Sequence, residues 1–377
     1  MSTWDIEPRH ISLGLSVDEY RKLPHPTRLK TMMAEFADYA KTNALAAEMI
    51  SELKSRHQSM NDVADIVQLT NPVWVRNITS DGSDFHTAFA STAVPMRHHV
   101  AEGRLFTVGP ELSEILFNTE VSDDVPCEML RAPFHSCYLH FPEALSECPL
   151  LATDGKKVRM LGCYVQETVI EEGVDIAQVP SDRATRSLML TFIGEGESTD
   201  PDDDTLRFLT LNLSKDDAKL STVLADSFER MKEYDRGLGF SALPGYFESY
   251  ERAMHHIVRV LLYMNCATVR METHKPASEL EAQIKRVGPS KQPKLKRKLA
   301  KLYDFIEICA PHIERPAGTG AGSSGAARAT HWRRGHLRNQ AHGPQFSLRK
   351  LIFLPPTLVA GSRTVAGEVP VRDYHVN

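Results

Sequence analysis

The chain has 377 residues, 42% of them hydrophobic and 25% charged, with a formal net charge of -5. That length exceeds what one hydrophobic core usually organises, so two or three structural units of uneven size are expected. No window approaches 18 consecutive apolar residues, and the opening MSTWDIEPRHISLG lacks a basic flank followed by an apolar segment, so neither a membrane span nor a signal peptide is read and a cytoplasmic location is expected.

In chain order, SVDEYRKL offers Ser16 and Glu19 as a capping box for a short helix. A long amphipathic helix follows over TRLKTMMAEFADYAKTNALAAEMISELKSRHQS. Leu29, Met32, Met33 and Phe36, then Leu45, Met49, Ile50 and Leu53, recur on one face at three- and four-residue spacing. The Met-rich face reads as core. From NPVWVRNIT onward the texture changes: CYLHF, KVRMLGCYV, SLMLTFI and LRFLTLNL are strand-like in length and in β-branched and aromatic content. The last two are joined by GEGESTDPDDDT, which reads as an acidic hairpin loop. A helix over SKDDAKLSTVLADSFERMKEY has Ser214 and Asp217 placed as caps. After the break GLGFSALPG comes YFESYERAMHHIVRVLLYMNCATVR, apolar nearly all round, which predicts a central buried helix. A helix is also expected near LAKLYDFIEICA.

Helices, strands, then helices, without regular alternation, indicate an α+β fold: N-terminal helices, a central mainly antiparallel sheet with packed helices, and a basic C-terminal element. The expected divisions are an N-terminal helical region at 1–70, an α+β core at 71–274, a basic helical segment at 275–314, a Gly/Ser/Ala-rich linker at 315–329, and the basic element at 330–377.

Charge is unevenly spread along this order. Residues 315–377 hold nine Lys or Arg against two acids, and no acid lies between Glu314 and Glu368. The run KRVGPSKQPKLKRKLAK at 285–301 has eight cations and no carboxylate, whereas 167–204 has eleven acids. Such asymmetry fits a polyanion partner, and equally an acidic body that docks its own basic tail. The six cysteines, at 127, 137, 148, 163, 266 and 309, never form C-x-x-C. They read as buried free thiols, and they supply no paired zinc ligands.

The motifs then narrow the chemistry. Gly320, Gly322 and Gly325 match G-x-G-x-x-G, but no strand precedes them and no helix follows, so the match is assigned to the linker. There is no G-x-S-x-G elbow, phosphate-binding-loop lysine motif, H-E-x-x-H or kinase signature, and no cofactor is expected. His331 and His336 have a zinc-like H-x4-H spacing, but Arg333 and Arg334 between them disfavour a dication, so no metal is expected. The same two histidines could cleave RNA by acid-base catalysis with Arg334 stabilising the phosphate. Contact with phosphate through Arg333, Arg334 and Arg338, with Trp332 or a histidine stacking on a base, needs fewer assumptions. An Arg-rich strand that simply docks on the acidic body would look similar. In the basic run, Lys294, Arg297, Lys298 and Lys301 fall on one side of a helix, as a phosphate-facing stripe or as an ordinary solvated face.

Three blocks carry a family resemblance: DDVPCEMLRAPFHSCYLHF, the helix HHIVRVLLYMNCA, and above all HWRRGHLRNQAHGPQFSLRKLIFLPPTLV. In that order they resemble a type V-A anti-CRISPR family whose H-x-R-R-G-H motif precedes a Gly-containing turn and a closing strand. The chain departs from the family's pattern in its linker, its basic helix and a leucine at 337 in place of an aromatic. The resemblance implies an accessory protein of phages or mobile elements. Its implied partner is the type V-A CRISPR effector, whose production it would reduce by recognising the nascent chain and depleting its message. A basic tail contacting RNA or the ribosome would suit that role, with His331, Trp332, Arg333, Arg334, His336 and Arg338 as candidate contacts.

Overall fold

The computed structural model describes residues 13–39, a few positions between 41 and 58, and 94–152, 155–170, 185–195, 204–213, 218–237, 243–311 and 331–359. The linker with its glycine motif, the proposed caps Ser214 and Asp217, the tip of the acidic loop and residues 360–377 lie outside them.

The N-terminal segment forms α1 (Val17–Arg21) and α2 (His25–Tyr39). The capping box is formed: Ser16 Oγ accepts from the Glu19 amide at 3.2 Å, and Glu19 Oε2 accepts from the Ser16 amide at 3.0 Å. Leu29 and Met33 are buried, as the Met-rich face predicted. The continuation of the long helix toward residue 53 falls largely outside the described residues.

A mixed, largely antiparallel sheet organises the rest. Its strands are β1 (His57–Gln58), β2 (Arg104–Val108), β4 (Ser136–Leu151), β5 (Lys157–Ile170), β6 (Thr185–Gly194), β7 (Thr205–Asn212), β8 (Met271–His274) and β9 (Phe305–Ile308), ordered β7-β6-β5-β4-β2-β9-β8, with β1 pairing β5. β4 to β7 form antiparallel neighbours, so the acidic segment does link a hairpin, while β2 runs parallel to β4 and β9. Strand alternation sends Cys137, Leu139, Cys163, Val165, Leu188, Leu190 and Phe192 to one face, into the main core. That face is covered by α4 (Pro110–Phe117), α5 (Leu220–Gly237) and the central helix α6 (Tyr246–Met264). The opposite face carries Tyr138, Tyr164, Met189 and Ile193 beneath α2 and α3 (Val94–Val100). Because both faces are covered, the central strands read as nearly continuous apolar runs. Gly162 is obligatory here: a Cβ would collide with the Tyr138 ring and hydroxyl packed across it.

The basic segment contains α7 (Pro276–Arg286) and α8 (Gln292–Leu299). The helix expected near LAKLYDFIEICA is corrected: the run leaves α8, turns, and enters β9, because Phe305, Ile306 and Ile308 suit a strand filling the slot between β2 and β8. Asp304, at that turn, accepts from the amides of Ala277 (3.0 Å) and Ser278 (3.1 Å) and so caps α7. All six cysteines are free, five of them buried. Among the described residues, no helix is long and apolar enough to cross a membrane.

Candidate functional site

The HWRRGH motif folds as strand, turn and strand. β10 (His331–Arg333) pairs with β13 (Thr357–Val359), while β11 (His336–His342) pairs antiparallel with β12 (Leu348–Leu354) and parallel with β3 (Glu120–Val121). The turn between them is fixed by β3: the Gly335 carbonyl accepts from the Glu120 amide, and the Leu337 carbonyl from the Ser122 amide, each at 2.9 Å. Gly335 has no space for a side chain, since a Cβ would lie 2.8 Å from Thr119 Oγ1 and 3.2 Å from the Leu354 carbonyl oxygen. Leu337 is fully buried in the main core, and Phe353 across from it meets the Tyr263 ring at 5.1 Å. Leu337 and Phe353 therefore anchor the strand pair on α6.

Alternation then places the odd positions Leu337 and Leu351 inward and His336, Arg338, Lys350 and Ile352 on the outer face. Arg334 Nη1 lies 3.1 Å from Glu120 Oε1, and His336 Nδ1 lies 3.6 Å from Glu120 Oε2. Arg333 and Arg338 are exposed. His331 and Trp332 are placed on β10, their side chains lying outside the described residues. The hairpin tip has a left-handed backbone at Gln345 (φ 53°) and Phe346 (φ 56°), and it holds Phe346 71% exposed beside the exposed Leu348. Arg349 and Lys350 are also exposed.

The basic helix contributes less than its spacing suggested. Lys294, Arg297 and Lys298 are exposed on α8. Lys301 is corrected out of the stripe: it lies beyond the helix end, and its Nζ is 2.5 Å from Glu19 Oε1. That lysine and the Ser16 amide hold the Glu19 carboxyl down to about 2. α8 and the C-terminal sheet occupy different parts of the molecule, the first against α7 and the second against α6 and β3.

Behind the motif lies a cavity of about 490 Å³, lined by Phe117, Glu120, Arg252, His255, Arg259 and Arg334 among others. Burial lowers the pKa of both Arg259 and His255, and the Arg259 charge lowers that of His255 further. The neighbouring His256 is pushed down to about 3 by burial and then by Arg259, with its ring between Phe117 and Phe141.

Sequence reasoning missed a second polar cluster, on the other face of the sheet. Arg28 Nη2 is 2.6 Å from Asp204 Oδ2, His25 Nε2 is 3.5 Å from the same oxygen, and His25 Nδ1 is 2.8 Å from the Tyr164 hydroxyl. Beside it, His98 Nδ1 is 3.3 Å from Ser136 Oγ, and Gln166 donates to the Val94 carbonyl at 3.0 Å. Burial holds His98 down at about 3 and His140 at about 4. The readable signal was the polar or phenolic residue at alternate strand positions: Tyr138 and His140 on β4, Tyr164 and Gln166 on β5. A separate grouping, Glu272, His274 and Glu307 on the β8–β9 edge, has ligand atoms within 4.8 Å of one another, although Arg270 already lies 3.1 Å from Glu272.

The model of the AcrVA2-like family, described as the anti-CRISPR type V subtype A2 family, matches residues 106–361, more than half the chain. The chain belongs to that family. The match runs from β2 through the central helix to the end of the C-terminal sheet, so the HWRRGH strands lie within it and α1 to α3 lie before it. A solved structure described as the crystal structure of AcrVA2 is similar at a TM-score of 0.41 and 14% identity, covering 87% of this chain and 98% of that one. No curated protein matches. This anti-CRISPR is accordingly an α+β protein of the type V-A class, directed at a CRISPR effector.

Proposed function

We propose that this anti-CRISPR, an accessory protein of phages or mobile elements, lowers the amount of a type V-A effector in the cytoplasm. It binds the effector's nascent chain and reduces its message, while the C-terminal sheet contacts RNA or the ribosome. The observation that supports the second part is the outer surface of that sheet. Arg338 and Lys350 are exposed there, with Arg349 exposed on the other face of β12 and Arg333 exposed on β10, and no ion pair among the described residues engages any of them. Arg334, by contrast, is engaged by Glu120. Exposed cations beside an exposed aromatic at a rigid turn suit a single-stranded polyanion, whose phosphates meet the cations and whose bases meet the ring.

Co-expression with a type V-A effector tests the reading: effector protein and transcript should both fall. The variant R333A/R338A/K350A should bind RNA more weakly and with a shallower salt dependence, the slope falling by roughly 0.7 for every phosphate left without its cation. Unchanged effector protein and message would overturn the proposal.

A further inference from the structure

We propose that the cavity behind the HWRRGH turn is a binding site for a phosphate monoester, with Arg259 at its floor and Arg334 at its mouth. Such a site is independent of how effector production is lowered.

The lining is graded. Glu248, Arg252, His255 and Arg259 follow one another on α6 at spacings of four, three and four, which is one face of the helix. Glu248 and Arg252 are exposed, whereas His255 and Arg259 are half-buried. At 1.5 Å per residue, Glu251 lies about 12 Å and Glu248 about 16 Å along the axis from Arg259, beyond the reach of a close ion pair. The third acid, Glu120, is engaged by Arg334 and His336. Arg259 therefore has no carboxylate partner among the described residues, and its buried Nε has no hydrogen-bond partner. The charge of this cavity is separated, with acids at the rim and an uncompensated guanidinium below.

The chemistry of the floor selects the ligand class. A guanidinium fork matches an oxyanion bidentately, and an imidazole one turn away supplies a further donor once protonated. With Arg252, and with the nitrogens of Arg334 other than the Nη1 that Glu120 engages, there are more donors than the two oxygens of a carboxylate can use, while a phosphate monoester has three oxygens and up to two charges. The volume, about 490 Å³, falls within the usual span of small-ligand pockets, roughly 300–1,000 Å³, so it leaves room for the organic group that the phosphate carries. Phe117 offers that group an apolar wall. The lowered basicity of His255 fits the same picture, because an anion beside it would reverse the shift.

The test is a titration of the full-length protein with inorganic phosphate, adenosine monophosphate and acetate, read by calorimetry and by the His255 ring resonances, assigned with H255Q. Phosphate and the nucleotide should bind and raise the His255 pKa, with acetate weaker by at least about tenfold. R259Q should weaken phosphate by about tenfold or more while R259K retains part of the affinity, and K157A, on β5 and outside the cavity, should change nothing. R334Q gives an independent reading should R259Q fail to fold. An acetate affinity equal to that of phosphate would overturn the assignment, as would a failure to bind at about 10 mM phosphate, a millimolar affinity being the weakest worth calling a site. Binding unaffected by both R259Q and R334Q would also overturn it.

Discussion

Leu337 and Arg338 are adjacent, lie on opposite faces of β11, and should behave in opposite ways. Leu337 is fully buried, packed into the main core where the C-terminal strands rest on α6. Truncating a buried leucine to alanine removes three carbons from the core and leaves a cavity, which costs about 3 kcal/mol within a usual range of 2–5. For a cooperative unit of this size, with about 2 °C per kcal/mol, Leu337→Ala should lower Tm by about 6 °C. Arg338→Ala removes an exposed side chain with no ion pair among the described residues and should shift stability by less than about 0.5 kcal/mol. The assay is thermal and urea melting of the two variants beside wild type, with RNA binding measured in parallel. Stability should fall only in the first variant, and RNA affinity should fall without unfolding only in the second. Equal melting temperatures would mean that β11 is not seated in the core, and the reading of the motif as an anchored strand would fail.

Three further outcomes follow. Gly335→Ala should destabilise by about 1–3 kcal/mol, since its Cβ meets Thr119 and the Leu354 carbonyl, and a melting curve matching wild type would contradict the packed turn. Acidification should also destabilise: His98, His140 and His256 have folded pKa values lowered to about 3, 4 and 3. The unfolded chain thus binds more protons below pH 6.5, and stability falls from there until the folded values are reached, by about 1–2 kcal/mol per histidine at pH 5. Urea melts between pH 7.5 and 5 measure this, and His256→Phe should flatten the slope; a slope as steep as wild type would sink that assignment. Glu19 has a lowered folded pKa, so its contribution is present above its ordinary value near 4.5 and is lost as pH falls toward about 2. Lys301→Ala should raise the Glu19 pKa in a carboxyl titration, and an unmoved value would deny the pairing.

Local and periodic features are legible in the sequence. The Ser16–Glu19 box is readable because its two hydrogen bonds span three residues, and β4 to β7 and α6 because burial all round leaves them as nearly continuous apolar runs. The segment LAKLYDFIEICA misleads because a short apolar run fits a helix or a buried strand equally; only the open slot between β2 and β9's partner β8 decides it. Spacing alone puts Lys301 on a binding stripe, whereas its pairing with Glu19 joins residues 282 positions apart. The same holds for the His25, Arg28, Asp204 and Tyr164 cluster and for the cavity that brings Arg334 to Arg259: each gathers single polar residues from distant strands and helices, and no local pattern marks them. The HWRRGH motif is legible as a signature but not as a division of labour. Gly335 and Leu337 serve packing, Arg334 and His336 meet Glu120, and Arg333 and Arg338 face solvent.

Whether effector supply is what this protein lowers is decided by a time course of effector protein and effector transcript, in cells that express a type V-A effector with and without this anti-CRISPR. Both should decline together, and a recoded message encoding the same polypeptide should decline equally, because the proposed mechanism has the nascent chain recognised. Inhibition of the effector with protein and transcript at control levels would contradict that mechanism.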